Sequence, residues 1–247
     1  MTGDVNTGRD EPRYLIDDSA YAPHTGIWFA QPAGFRPLPF AALLAPEGSV
    51  EAVRLRAGIA PLVERLPQDA RRRFEGELAQ SREYVKALTE VGTVHCSLGL
   101  HQDDEGDDGT AGSGSTLLSL FTVAWRETAW APGRVTAARA VTGGGHEAIE
   151  LSELACGPVS FSETVRHAPP GLGLPREQSL LQFHAHLPHP DRTRLALLTL
   201  ATTAVRHRAH YRAMLRDIAA HVSFENPLPN PERDRNEDGD RGGFAGR

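Results

Sequence analysis

Leu180-Leu181-Gln182-Phe183-His184-Ala185-His186-Leu187-Pro188-His189-Pro190-Asp191, followed by Leu195-Ala196-Leu197-Leu198-Thr199-Leu200-Ala201, is the stretch from which the fold can be read. Leu181, Phe183, Ala185 and Leu187 alternate with Gln182, His184 and His186, which is the period of a strand with one buried face. Pro188 to Asp191 then turns the chain, because proline fixes φ and donates no hydrogen bond. Leu195 to Ala201 is apolar on both phases and predicts a central strand. After Thr202 and Thr203, either of which can cap, Tyr211, Met214, Leu215, Ile218 and Val222 form one helical stripe that ends before Asn226-Pro227. Leu197, Leu200 and Ile218 are therefore expected in the central core.

Working back towards the start, the same two periods recur. Gly26 to Ala30, with Trp28 and Phe29, suits a strand, and Pro32-Ala33-Gly34-Phe35 a turn. Ser49 can cap a helix carrying Val50, Val53 and Ala57, interrupted at Gly58 and Pro61. A second helix opens at Pro67-Gln68-Asp69 and carries Phe74, Leu78, Val85 and Leu88. Arg71 to Arg73 on it read as a solvated face in preference to an anion site. Val94, Cys96, Leu98 and Leu100 alternate with Thr93, His95, Ser97 and Gly99, predicting a strand with one polar face. Thr116 to Trp125 is the next strand. Ala131 to Val141 is a short helix closed by Gly143-Gly144-Gly145. Glu147 to Leu154 and Pro158 to His167 are two strands broken at Cys156-Gly157-Pro158, with Glu163 the lone exception on an apolar phase.

Composition narrows the function classes. A formal net charge of −6 gives no general attraction to phosphate backbones, so nucleic acid is not an expected partner. No apolar run reaches the roughly 20 residues that span a bilayer. The start of the chain lacks a basic segment followed by an apolar one, so a cytoplasmic protein without membrane insertion is expected. Cys96 and Cys156, the two cysteines, read as reduced thiols. The domain expectation is one α+β domain over residues 14–226, with a disordered segment at 1–13 and a disordered charged tail at 227–247.

Motifs for chemistry are scarce. Asp103 to Gly109 is acidic but lacks the spaced ligands and closing Glu of an EF-hand, and reads as a solvated hairpin tip. The three glycines at 143–145 are not followed by the residues of a phosphate loop. The pattern G-x-S-x-G is absent, so a triad drawn from Ser160 or Ser162 has no nucleophile elbow beneath it. Cys156 beside Gly157 reads as a strand-end thiol with no helix N-terminus to activate it. His207, His210, Asp217 and His221 lie along a border of the last helix and read as a solvated edge. With eleven histidines, one metal arrangement merits naming. His184 and His186 share a face of one strand, and His95 could join them if its strand is a neighbour, giving three imidazoles of the kind zinc takes. No catalytic or cofactor-binding residue is assigned.

Trp28-Phe29 followed by Pro32-Ala33-Gly34-Phe35, the break Cys156-Gly157-Pro158-Val159, and Leu195-Ala196-Leu197-Leu198-Thr199-Leu200 leading into a terminal helix together resemble the PsbP-like α/β/α sandwich, in its LpqN-type actinobacterial branch. The resemblance covers about Thr25 to Phe224. It implies an antiparallel sheet flanked by helices and a non-catalytic accessory module that binds a protein partner without a cofactor. The chain departs from the LpqN-type lipoproteins in showing neither a signal peptide nor a lipid-attachment cysteine near its start. The alternative class is a metal-dependent enzyme built on His184, His186 and His95.

Overall fold

A computed structural model describes residues 26–31, 34–38, 40–64, 85–102, 116–143, 145–167 and 179–227. The expected disordered ends, the acidic hairpin tip and most of the Pro67 helix lie outside these residues. The strands are β1 (Phe35–Pro37), β2 (Thr93–Gln102), β3 (Thr116–Glu127), β4 (Glu147–Leu154), β5 (Gly157–His167), β6 (Ser179–Pro188) and β7 (Arg194–Thr202). They form one seven-stranded sheet in the order β1-β2-β3-β7-β6-β5-β4, every pair antiparallel. The helices are α1 (Phe40–Leu44), α2 (Val50–Glu64), α3 (residues 85–90), α4 (Gly133–Ala140) and α5 (Arg208–Ala220), with a 3-10 turn at Val205–His207 before the last. The architecture is α+β, as the periodicities require.

The two apolar phases of β7 explain its central place. Ala196, Leu198 and Leu200 share a face with Phe121 and Val123 of β3, Leu181, Phe183 and Ala185 of β6, and Val159 and Phe161 of β5. Onto this face α5 lays Tyr211, Leu215, Ile218 and Ala219, with Val222 just beyond it. Burying one such aliphatic or aromatic side chain stabilises the fold by about 1.5–3 kcal/mol, so this layer carries much of the stability. The opposite face meets α4, where Ser160 Oγ donates to the Ala137 carbonyl at 2.8 Å. Leu43 of α1 and Val85 and Leu88 of α3 stand over the same face further along.

Local chemistry sets several boundaries. Ser49 Oγ accepts from the Ala52 amide at 3.2 Å, the expected cap of α2. The helix then continues past Gly58 and Pro61 to Glu64, against the expected interruption. Gly26 to Ala30 is not a strand. Trp28 makes a single antiparallel bridge to Ser223, which ties the start of the described chain to the end of α5. The turn between β6 and β7 is held by Asp191, whose carboxylate accepts from the Thr193 amide and from Arg194 Nε, both at 2.9 Å.

Two core expectations hold and one changes. Leu200 and Ile218 are buried. Leu197 points to the opposite face, is half-buried, and lines a cavity. Leu200→Ala is accordingly expected to cost about 2–5 kcal/mol, while Leu197→Ala, at a wall already facing empty space, costs about 1 kcal/mol. Urea midpoints of the two variants check this, and equal losses would put Leu197 back in the packed core.

Candidate functional site

A row of polar side chains crosses the sheet at right angles to the strands. The register aligns Cys96, Thr122, Thr199, His184 and Ser162 on consecutive neighbours, on the face away from α5. His184 is the hub: one ring nitrogen meets Thr164 Oγ1 at 3.0 Å and the other Thr199 Oγ1 at 3.1 Å. Thr164 also donates to Gln182 Oε1 at 3.3 Å. Ser162 Oγ pairs with His146 Nδ1 at 2.9 Å.

His146, His184 and His186 make a triangle, with ring centroids 5.6, 5.6 and 6.0 Å apart. His186 is buried and its Nε2 has no hydrogen-bond partner among the described residues. Burial pushes the His184 imidazole down to about 3, and the charges of His186, His146 and Arg166 add to the effect. His186 is lowered to about 4 by burial and then by His146. His146 is also lowered, by burial first and then by Arg166. All three are thus neutral at physiological pH.

His95 does not join this group. β3 and β7 stand between β2 and β6, and a bulge between Thr93 and His95 leaves the His95 ring on the α5 face. It packs there edge-on to Phe29 at 4.9 Å and beside Phe121 at 5.8 Å. The supposed polar face of β2 is in fact a buried one, where Ser97 Oγ donates to Gln31 Oε1 at 2.6 Å. His146, just before β4, takes the third place that His95 would have filled had β2 been a neighbour of β6. Sequence offered little sign of this, since a residue outside any strand has no phase. Among the described residues no group of three or more His, Cys, Asp or Glu is arranged to hold a metal ion. In the triangle, His184 has both nitrogens engaged by threonines.

The other drawn chemistries fare similarly. Ser160 is a tether for α4, and Ser162 pairs with His146, while Glu163, next to Ser162 in sequence, faces the other side. Glu163 is 3% exposed and is held by Arg212, with Arg208 Nε at 3.5 Å. Arg216, one turn on, pairs with Glu150 of β4 and lies over the Phe161 ring at 5.2 Å. The spacing of these arginines, every fourth residue of α5, places them in one row facing β5 and β4. That spacing, with the lone glutamate on an apolar phase, was the signal for them in the sequence. His207 is buried, while His210 and His221 are exposed. Both cysteines are free, with Cys96 buried and its thiol pushed up to about 12 by burial. Cys156 sits in the tight turn between β4 and β5.

Two hollows remain. One, of about 530 Å³, lies between the sheet and α1 and α3, floored by Leu120, Thr122, Leu197, Thr199 and His184 and roofed by Leu43, Val85 and Leu88. The other is an open groove of about 510 Å³ between α4 and β4, lined by Ala138, Val141, His146, Ile149 and Leu151. Among the described residues β4 has no neighbour on its outer edge, and Ile149 and Leu151 on it are 50% and 60% exposed. No helix among them is long and apolar enough to cross a membrane. Neither a family model nor a curated protein matches the sequence.

Proposed function

We propose that this chain is a non-catalytic module that binds a protein partner by accepting an extended segment along the outer edge of β4. The observation that carries the reading is that edge: an eight-residue strand whose outer backbone groups pair with no strand among the described residues, with exposed Ile149 and Leu151 next to an apolar groove. Strand addition takes its affinity from main-chain hydrogen bonds and its specificity from alternate side chains, and this edge offers both. The opposite edge is the three-residue β1, closed by Pro37, which is a poor template. We further infer that helices on both faces of the sheet form an α/β/α sandwich of PsbP-like, LpqN-type kind within one domain over residues 14–226. The contacts of α5 with one face and of α4 with the other support that arrangement.

The polar row supports a binding role over an enzymatic one. Its hub, His184, is neutral and has both ring nitrogens engaged by threonines, so His184 itself has no free ring nitrogen to offer a substrate. The test is affinity purification from the native cell with the wild type and with Ile149→Glu/Leu151→Glu. The expected result is a partner recovered by the first and lost from the second, at unchanged thermal stability. A His184→Gln/His186→Gln variant should recover it as the wild type does. Near-stoichiometric zinc or iron in the purified protein, lost together with a measurable turnover in that histidine variant, would overturn the reading in favour of a metal-dependent enzyme.

A further inference from the structure

The hollow beneath α1 and α3 is independent of the β4 edge and has the dimensions of a small-molecule site. Its volume of about 530 Å³ lies inside the range of about 300–1,000 Å³ typical of ligand pockets. Leu120, Thr122, Ala124 and Arg126 of β3 line it in succession. Six residues of strand rise span roughly 20 Å, so the space extends far enough along β3 to take an extended alkyl chain. The walls are aliphatic: no Phe, Tyr or Trp occurs among the described residues that line it, which disfavours a flat aromatic ligand.

Charge fixes the polarity of an occupant. No acidic side chain lines the space among the described residues, and the cation there is Arg126, exposed at one end. Its guanidinium donates to the Val91 carbonyl, which uses part of a five-donor fork and leaves the rest for a carboxylate. The polar row crossing the floor is largely self-satisfied, since Thr164 and Thr199 hold His184. It therefore makes little demand on an occupant, and an alkyl chain can lie over it without stranding the hub.

We propose that this cavity binds a long-chain fatty acid, its carboxylate on Arg126 at the open end and its chain running along β3 over Ala124, Thr122 and Leu120. Delipidated full-length protein titrated with palmitate, followed by calorimetry and native mass spectrometry, should show one molecule bound per chain. Arg126→Gln, at an exposed position that does not threaten folding, should weaken palmitate roughly tenfold or more and leave cetyl alcohol, which has the same tail and no charge, unchanged. Leu197→Phe, which extends a side chain into the hollow, should weaken both ligands. Ile149→Glu/Leu151→Glu should affect neither, so failure here and failure of the β4 reading are told apart. Absence of palmitate binding by the wild type would overturn the proposal. So would binding that neither Arg126→Gln nor Leu197→Phe diminishes.

Discussion

Acidification from about pH 7.5 to about pH 4.5 is expected to lower the unfolding free energy by on the order of 5 kcal/mol through His184 and His186 together. Both imidazoles sit well below their ordinary 6.5, at about 3 and about 4, because burial and mutual proximity disfavour the charged form. In the unfolded chain they protonate on passing 6.5. Below that pH the unfolded state binds more protons than the folded one, and stability falls until the folded-state values are reached. Above 6.5 both states hold neutral rings, and these groups contribute no pH dependence. The window is therefore 6.5 down to between 4 and 3. His146, lowered in the same direction, adds to the slope. Replacing His184 and His186 with Gln keeps a donor and an acceptor at position 184 for Thr164 and Thr199 while removing both titrations. Denaturant midpoints across this pH range should fall steeply for the wild type and remain much flatter for the double variant. Parallel slopes would show that other groups dominate acid unfolding.

That triangle also marks where sequence reading stops. His184 and His186 could be placed on one face because a strand fixes side-chain direction by parity alone. Which strand lies beside β6 is a long-range matter, and β7, next in the chain, together with β5 took the places that a neighbouring β2 would have needed. His95 was lost to the pair by that order and by one bulged residue, since a single insertion exchanges the two faces of a strand. His146 was invisible for the complementary reason. Its position depends on how the segment after α4 folds back over β5, which no periodicity encodes.

Other features were legible because their cause is local. The alternation in β6, the two-phase apolarity of β7 and the stripe on α5 each translate directly into burial. Leu197 shows the boundary between these cases. A strand apolar on both phases does predict cover on both faces, but not that the cover on one side stands off and leaves a cavity. Close packing depends on side chains from α1 and α3, brought to the sheet by connections whose course the sequence pattern does not specify.

Glu163 holds the ion-pair row beneath α5 together. It is the one carboxylate inside the apolar phase of β5, its side chain 4% exposed, while Arg212 and Arg208 that hold it are each 41% exposed. The costs of losing the two sides of this arrangement are therefore unequal. Glu163→Gln frees two arginines that can turn to water, and should cost about 1–2 kcal/mol. Arg208→Met/Arg212→Met strands a buried charge with neither cation beside it, and should cost about 3–5 kcal/mol. Methionine preserves the aliphatic cover that the arginine stems lay over β5, so lost packing is kept out of the comparison. Adding Glu163→Leu to the arginine pair removes the stranded charge and continues the phase of Val159 and Phe161, so the triple variant should regain most of the loss. Denaturant midpoints for these proteins, together with Glu163→Leu alone, read the coupling directly. If the triple variant is less stable than the double by the cost of Glu163→Leu alone, the three residues are not acting as one unit, and the row of arginines on α5 owes its place to something other than Glu163.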